Sequence, residues 1–249
     1  MSDLRILDDL QAVARATADE FISHAARAVK DHERFTVALS GGSTPKALHG
    51  VLVERTATHP KLINWSRVEV FFGDERHVPP DHPDSNFRMA NETLLSKVPI
   101  PKANIHRMRC ENPDAAQVAA EYDNELVTSF RLSGGQIPRF DLILLGMGPD
   151  GHTASLFPGS TAVHELKNRV VANWVQKLNT WRITFTRPVI NEAACVLMMI
   201  SGHDKSAALA QVMDNGNPDT YPVRYVRPRH GELIWIVDRA AAQKLQSKR

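Results

Sequence analysis

The stretch FTVALSGGSTPKAL, residues 35–48, decides the fold. FTVALS is a short apolar run of strand length, rich in β-favouring residues. Two glycines and two hydroxyls follow, and then an amphipathic segment begins in which Ser43 or Thr44 is placed to cap a helix, with Pro45 in its first turn. Strand, loop and helix succeed one another without a gap. Gly41 and Gly42 leave the backbone bare where a helix begins, so that N–H groups can approach an anion, and Ser43 and Thr44 add hydroxyl donors. A glycine pair also suits a plain tight turn; its place between strand and helix favours the anion reading. A phosphate is the natural guest.

The pattern recurs along the chain. VEVFFGDE (68–75), FDLILLGMG (140–148), ACVLMMISG (194–202) and ELIWIVD (232–238) read as strands, as do VVANWV (170–175) and WRITFT (181–186). Helical periodicity appears over about 7–31, 87–97, 115–130 and 205–213, with a further helix closing the chain. Apolar strands alternating with amphipathic helices predict an α/β fold, an open, mostly parallel, doubly wound sheet with helices on both faces. Prolines cluster at 79–83, 99–101 and 218–228, yet similar units continue on either side, so residues 1–249 are expected to form a single domain. A chain of 249 residues can bury roughly 70 to 75% of its unfolded surface, enough for a sizeable core.

Bulk properties narrow the partners. The net charge of +2 supplies neither a basic stripe for nucleic acid nor a polybasic membrane anchor. No run reaches the roughly 20 apolar residues that span a bilayer. The N-terminal segment lacks the order of a signal peptide, and Cys110 and Cys195 are too sparse for a disulfide framework. A cytoplasmic protein acting on a small anion is expected, with no nucleic-acid or membrane partner; nothing identifies a protein partner.

In an open parallel sheet, ligands bind beyond the carboxyl ends of the strands. The loops SGGSTP, GDERHVP and GMGPDGHTASLFP are expected to share that rim. His152 lies two residues after Asp150, and an imidazole oriented by a carboxylate can take a proton from water near neutral pH. Arg76 offers a permanently charged fork for an oxyanion or phosphate, and Asp74 can bind hydroxyls or tune a neighbour. Lys205, in SGHDKS, is a further cation. Arg182 alternates with Trp181 and Ile183, which aims it either into the cleft or into solvent. Gly146, Gly148 and Gly151 spell a dinucleotide fingerprint, but Pro149 and then Pro158-Gly159 deny it the long helix it needs. The spacing of histidines and cysteines points to no metal site.

At these loops the sequence resembles the 6-phosphogluconolactonases, within the wider family that includes glucosamine-6-phosphate deaminases. The matching segments are LSGGSTP, GDERHVP followed by SNFRMA, GMGPDGHTASLFPG, WRITFT, SGHDKS and GELIWIVD, in compatible order across almost the whole chain. The resemblance implies hydrolysis of 6-phospho-D-glucono-1,5-lactone to 6-phosphogluconate in the oxidative pentose phosphate pathway, without a metal or organic cofactor. On that reading His152 is the general base, Asp150 its helper, Arg76 either stabilises negative charge near the reacting centre or helps to seat the substrate, and Asp74 belongs to the catalytic set. Gly41, Gly42, Ser43, Thr44, Lys205 and Arg182 hold the phosphate. Two alternatives are a deaminase/isomerase acting on glucosamine 6-phosphate and a phosphosugar-binding module without catalysis. The deaminase motif continues toward Phe-Asn-Glu-Pro, whereas this chain has Leu156-Phe157-Pro158.

Overall fold

The chain begins with a strand rather than with the helix expected from about residue 7. In the computed structural model, which describes residues 3–214 and 216–245, β1 spans Asp3–Leu7 and the first helix, α1, spans Leu10–His32. Leu7 carries the right spacing for the helix but lies two residues before Asp9, whose Oδ1 accepts the Ala12 N–H at 2.7 Å and sets the start of α1. Helical periodicity fixed the face of α1, and the cap fixed its end.

The remaining elements are β2 (Phe35–Leu39), α2 (Ser43–Thr58), β3 (Val68–Phe72), β4 (Asp74–Arg76), α3 (Asn86–Ala90), α4 (Ala115–Ser129), β5 (Leu142–Leu145), β6 (Val170–Val175), β7 (Thr180–Phe185), α5 (Arg187–Glu192), β8 (Cys195–Ile200), α6 (Ser206–Met213), β9 (Glu232–Asp238) and α7 (Arg239–Ala242). Six strands form one wholly parallel sheet in the order β1-β9-β8-β5-β2-β3. Its side chains alternate between two apolar layers. On β8, Cys195, Leu197 and Met199 join the layer under α1 and α2, while Val196, Met198 and Ile200 join the layer that holds α4, α5 and α6. Near-continuous apolar strands are what a sheet covered on both faces requires, and each large side chain so buried contributes about 1.5 to 3 kcal/mol.

Three of the expected strands behave differently. VEVFFGDE breaks at Gly73, and β4 leaves the main sheet to pair antiparallel with β7, which pairs antiparallel with β6. β6 and β7 are joined by a short 3-10 turn, Gln176–Leu178, and a hairpin connection of that length cannot make a parallel crossover. The helix expected over 87–97 is α only to Ala90 and continues as a wider π turn through Asn91–Leu95. Gly42, not Ser43 or Thr44, is the N-cap of α2, and no side chain satisfies its first N–H groups. Among the described residues, no helix is long and apolar enough to cross a membrane.

Candidate active site

The carboxyl ends of β2, β3, β5 and β8 open onto one cleft of about 370 Å³, whose lining includes Gly41, Gly42, Ser43, Thr44, Asp74, Arg76, His152, Arg182 and Lys205. The small antiparallel sheet covers it from one side. Every candidate site residue named from the sequence lines this cleft except Asp150, which stands directly behind His152.

The floor is the turn between β2 and α2. The uncapped start of α2 leaves backbone donors and the positive end of the helix dipole facing the cleft. The bareness of Gly41 has a packing cause as well: a Cβ there would overlap the side-chain amide of Asn86, whose Nδ2 donates to the Asp74 carbonyl at 2.9 Å. Asn86 also lines the cleft, and it ties the anion loop to β4.

The second wall comes from β4 and β7. Arg76 and Arg182 are register partners, so two guanidinium groups stand side by side at the cleft. Arg76 is steadied by donating to the Asp84 carbonyl. Arg182 has a buried Nε without a hydrogen-bond partner among the described residues. Burial first, and then the charge of Arg76, push the Arg182 guanidinium down from its ordinary value, while Asp74 acts in the opposite sense. Two adjacent cations with an unused donor form a strained pair that an anion would relieve. Asp74 is buried and accepts from Ser155 Oγ at 2.7 Å. Glu75 faces away: it accepts the N–H groups of Asn86 at 2.7 Å and Phe87 at 2.8 Å, anchoring the start of α3. His77 also leaves the cleft, its Nε2 meeting the Asn112 carbonyl at 2.8 Å.

The loop after β5 carries the imidazole. His152 Nδ1 lies 2.5 Å from Asp150 Oδ1, and the His152 N–H donates to the same oxygen at 3.2 Å. Gly148 makes room for this: a Cβ there would overlap the His152 ring. The loop is pinned by Thr153 Oγ1 donating to the Gly146 carbonyl at 2.8 Å and by Val223 N–H donating to the Gly151 carbonyl at 3.0 Å. No helix follows Gly151 before the short 3-10 turn Thr161–His164, so the glycine fingerprint has none of its required context.

Lys177, at the tip of the β6–β7 hairpin, was not singled out from the sequence. Its Nζ binds Asp150 Oδ2 and lies 4.7 Å from the centroid of the Phe157 ring. The Phe157 ring stacks on His152 at 4.1 Å. A cross-strand pair, Trp174 and Trp181, braces the hairpin with ring centroids 5.4 Å apart. Burial pushes the Asp150 carboxyl up, but the hydrogen bonds from His152 and Lys177 outweigh it and hold the group well below the ordinary carboxylate range. An ionised Asp150 is an acceptor for an Nδ1–H of His152. The local sequence around Lys177, QKLN, carries a turn residue in Asn179 but no glycine of a binding loop, so only the hairpin's fold reveals its place at the cleft.

This fold and cleft define an α/β protein in which a glycine loop at a helix start and an imidazole–carboxylate pair meet at one cleft. A profile of the family described as glucosamine-6-phosphate isomerases/6-phosphogluconolactonase matches residues 8–235, and the chain belongs to that family. It is 41% identical to a 6-phosphogluconolactonase of Nostoc over 97% of this chain and 98% of the relative. It is 43% identical to one of Synechocystis over 88% of each chain. Among solved structures, the 6-phosphogluconolactonase from Trypanosoma cruzi superposes with a TM-score of 0.85 at 27% identity, covering 99% of this chain and 98% of that one.

Proposed function

We propose that the protein hydrolyses 6-phospho-D-glucono-1,5-lactone to 6-phosphogluconate. One observation carries the reading: His152, backed by Asp150, and the uncapped loop of Gly41, Gly42, Ser43 and Thr44 line the same cleft. The phosphate rests on that loop, neutralised by Lys205 and by the Arg76–Arg182 pair, whose side-by-side register favours a seating role for Arg76. Binding at that end places the lactone carbonyl by His152. Nε2 takes a proton from water as the oxygen attacks the carbonyl carbon, and Asp150 stabilises the imidazolium formed. Collapse of the tetrahedral adduct breaks the bond to the ring oxygen, which takes the proton back from Nε2; the new carboxylic acid loses its proton to solvent. Asp74 offsets the charge of Arg182 within the arginine pair.

Phe157 favours the lactonase over the deaminase. Its ring is stacked on His152 at the position where the deaminase motif sets a carboxylate, so ring opening of an amino sugar finds no acid there. The reading takes 1–249 as one unit, supported by loops from both halves of the chain meeting at the cleft, and a cytoplasmic location, supported by two free, buried cysteines.

Because the lactone opens spontaneously, the test is a pH-controlled assay on freshly generated lactone with His152→Ala as control. Hydrolysis above background, lost in the variant, is expected. Binding without turnover would leave only a sugar-phosphate module, and ammonia release from glucosamine 6-phosphate would assign the deaminase.

A further inference from the structure

The opposite rim of the main sheet gathers a second set of chemistry-bearing side chains. Cys195 begins β8 and Glu232 begins β9, and they are register partners, so both side chains leave the sheet on the same face. That face is covered by α1, whose buried stripe runs through Val13, Ala14, Thr17, Ala18, Phe21, His24, Ala25 and Ala28. An imidazole therefore occupies a stripe position that apolar or small side chains otherwise fill. One donor atom each from His24, Cys195 and Glu232 lies within 4.8 Å of the other two. His24 is 5% exposed and Cys195 0%, while Glu232 is exposed at the edge of a cavity of about 530 Å³ that also reaches His24. The cavity opens His24 and Glu232 to solvent, with Cys195 directly behind them.

The donors are an imidazole nitrogen, a thiol sulfur and a carboxylate oxygen, a mixture suited to zinc and its borderline-soft neighbours rather than to calcium or magnesium. Zinc bonds of about 2.0 to 2.3 Å put tetrahedral ligands roughly 3.3 to 3.8 Å apart, so a contraction of about 1 Å closes the set. An outer shell is present. The Arg27 guanidinium donates to His24 Nδ1 at 2.8 Å, which leaves the ring proton on Nε2, 3.7 Å from Glu20 Oε2. A cation bound at either ring nitrogen would replace the partner there, and the other partner would still orient the ring. Glu20 is itself held by Arg5 at 2.5 Å, and Asp31, His32, Arg139, Asp141 and His230 line the rest of the cavity. Burial, then Arg27, push the His24 imidazole down, and burial pushes the Cys195 thiol up to about 12. The free thiol is thus an apolar neighbour, and a metal binds by displacing its proton to solvent. One thiolate and one carboxylate then balance a divalent charge.

We propose that His24, Cys195 and Glu232 form a zinc-class site with one open position, which pins α1 to β8 and β9 at the end of the sheet remote from the cleft. The test titrates chelator-treated full-length protein with Co²⁺ as a spectroscopic probe and with Zn²⁺ while following the melting temperature. Expected are one equivalent of Co²⁺ with a thiolate-to-cobalt charge-transfer band, a Zn²⁺-dependent rise in melting temperature, and unchanged lactone turnover after chelation. Cys195→Ser should lose the band, and the exposed Glu232→Gln should weaken binding about tenfold or more. Glu232→Gln keeps the question decidable if the core variant fails to fold. Absence of the thiolate band in the wild-type protein overturns the proposal, as does cobalt affinity unaltered in Glu232→Gln.

Discussion

The two rims of one sheet use similar side chains in opposite settings. At the carboxyl ends, His152 and Asp150 sit on a loop and Asp74, Arg76 and Arg182 on the short strands of the second sheet around an open cleft, with His152 and Asp150 each more than a quarter exposed. At the amino ends, the imidazole and thiol belong to a helix and a strand and are almost wholly buried. The difference follows from chain geometry. Loops leaving parallel strands at one end must turn into helices, and their glycines and caps expose backbone donors to a ligand. Groups inside regular elements meet only where packing brings the elements together. The cleft is thus open to solvent, whereas His24 and Cys195 at the other rim lie packed between a helix and a strand.

Substitutions at the cleft can break or sharpen this contrast. The largest effect is expected from His152→Ala, which should lower kcat by about 10² to 10⁴ while sparing phosphate-ester binding; near-normal turnover would remove the base. Gly148→Ala should come next, with about a 10²-fold loss in kcat, because the added methyl displaces the imidazole without touching its chemistry. A fully active Gly148→Ala enzyme would mean that the ring tolerates displacement. Arg182→Ala should raise KM by about tenfold, the scale of a hydrogen bond to a charged group, with a smaller change in kcat. Comparable losses in Arg76→Ala and a double variant whose loss departs from the sum of the two single losses would support a shared anion; additive effects would count against it.

The smallest effect is expected from Lys177→Met. Its ammonium is 51% exposed, so solvent screening limits the pair with Asp150 to about 1 kcal/mol or less and the rate change to a few-fold. The same carboxylate gives a pH test. Its folded value is held down, so the stability it contributes is in place above the unfolded value of about 3.9 and is lost as pH falls through the lower folded value. The stability gap between wild type and Asp150→Asn, measured by urea unfolding, should narrow as pH falls below about 4. Narrowing already near neutral pH would show that His152 and Lys177 do not hold Asp150 ionised.

Much of this site was legible because its signals are local. GGST, GDER and GPDGH each compress a strand end, a turn and a reactive side chain into a few residues, and all of them line or back the cleft. Asn86 was less legible: SNFRMA marked a family segment, but only the packing of Asn86 against Gly41 assigns it a task. β1 was missed because its five residues run directly into the apolar spacing of α1, and only the Asp9 cap separates them. The antiparallel second sheet was missed because strand patterning reports burial by face and is silent about the partner.

By itself the sequence determined the α/β class, the buried parallel strands and the residues of the anion loop and imidazole pair, since side-chain periodicity and turn chemistry act over a few neighbouring residues. Tertiary structure alone decided that β4 turns aside to pair with β7, that Lys177 reaches Asp150, and that residues 24, 195 and 232 converge. Those meetings depend on register and helix docking between distant segments, which are settled by the free energy of the whole packed core and by no short stretch within it.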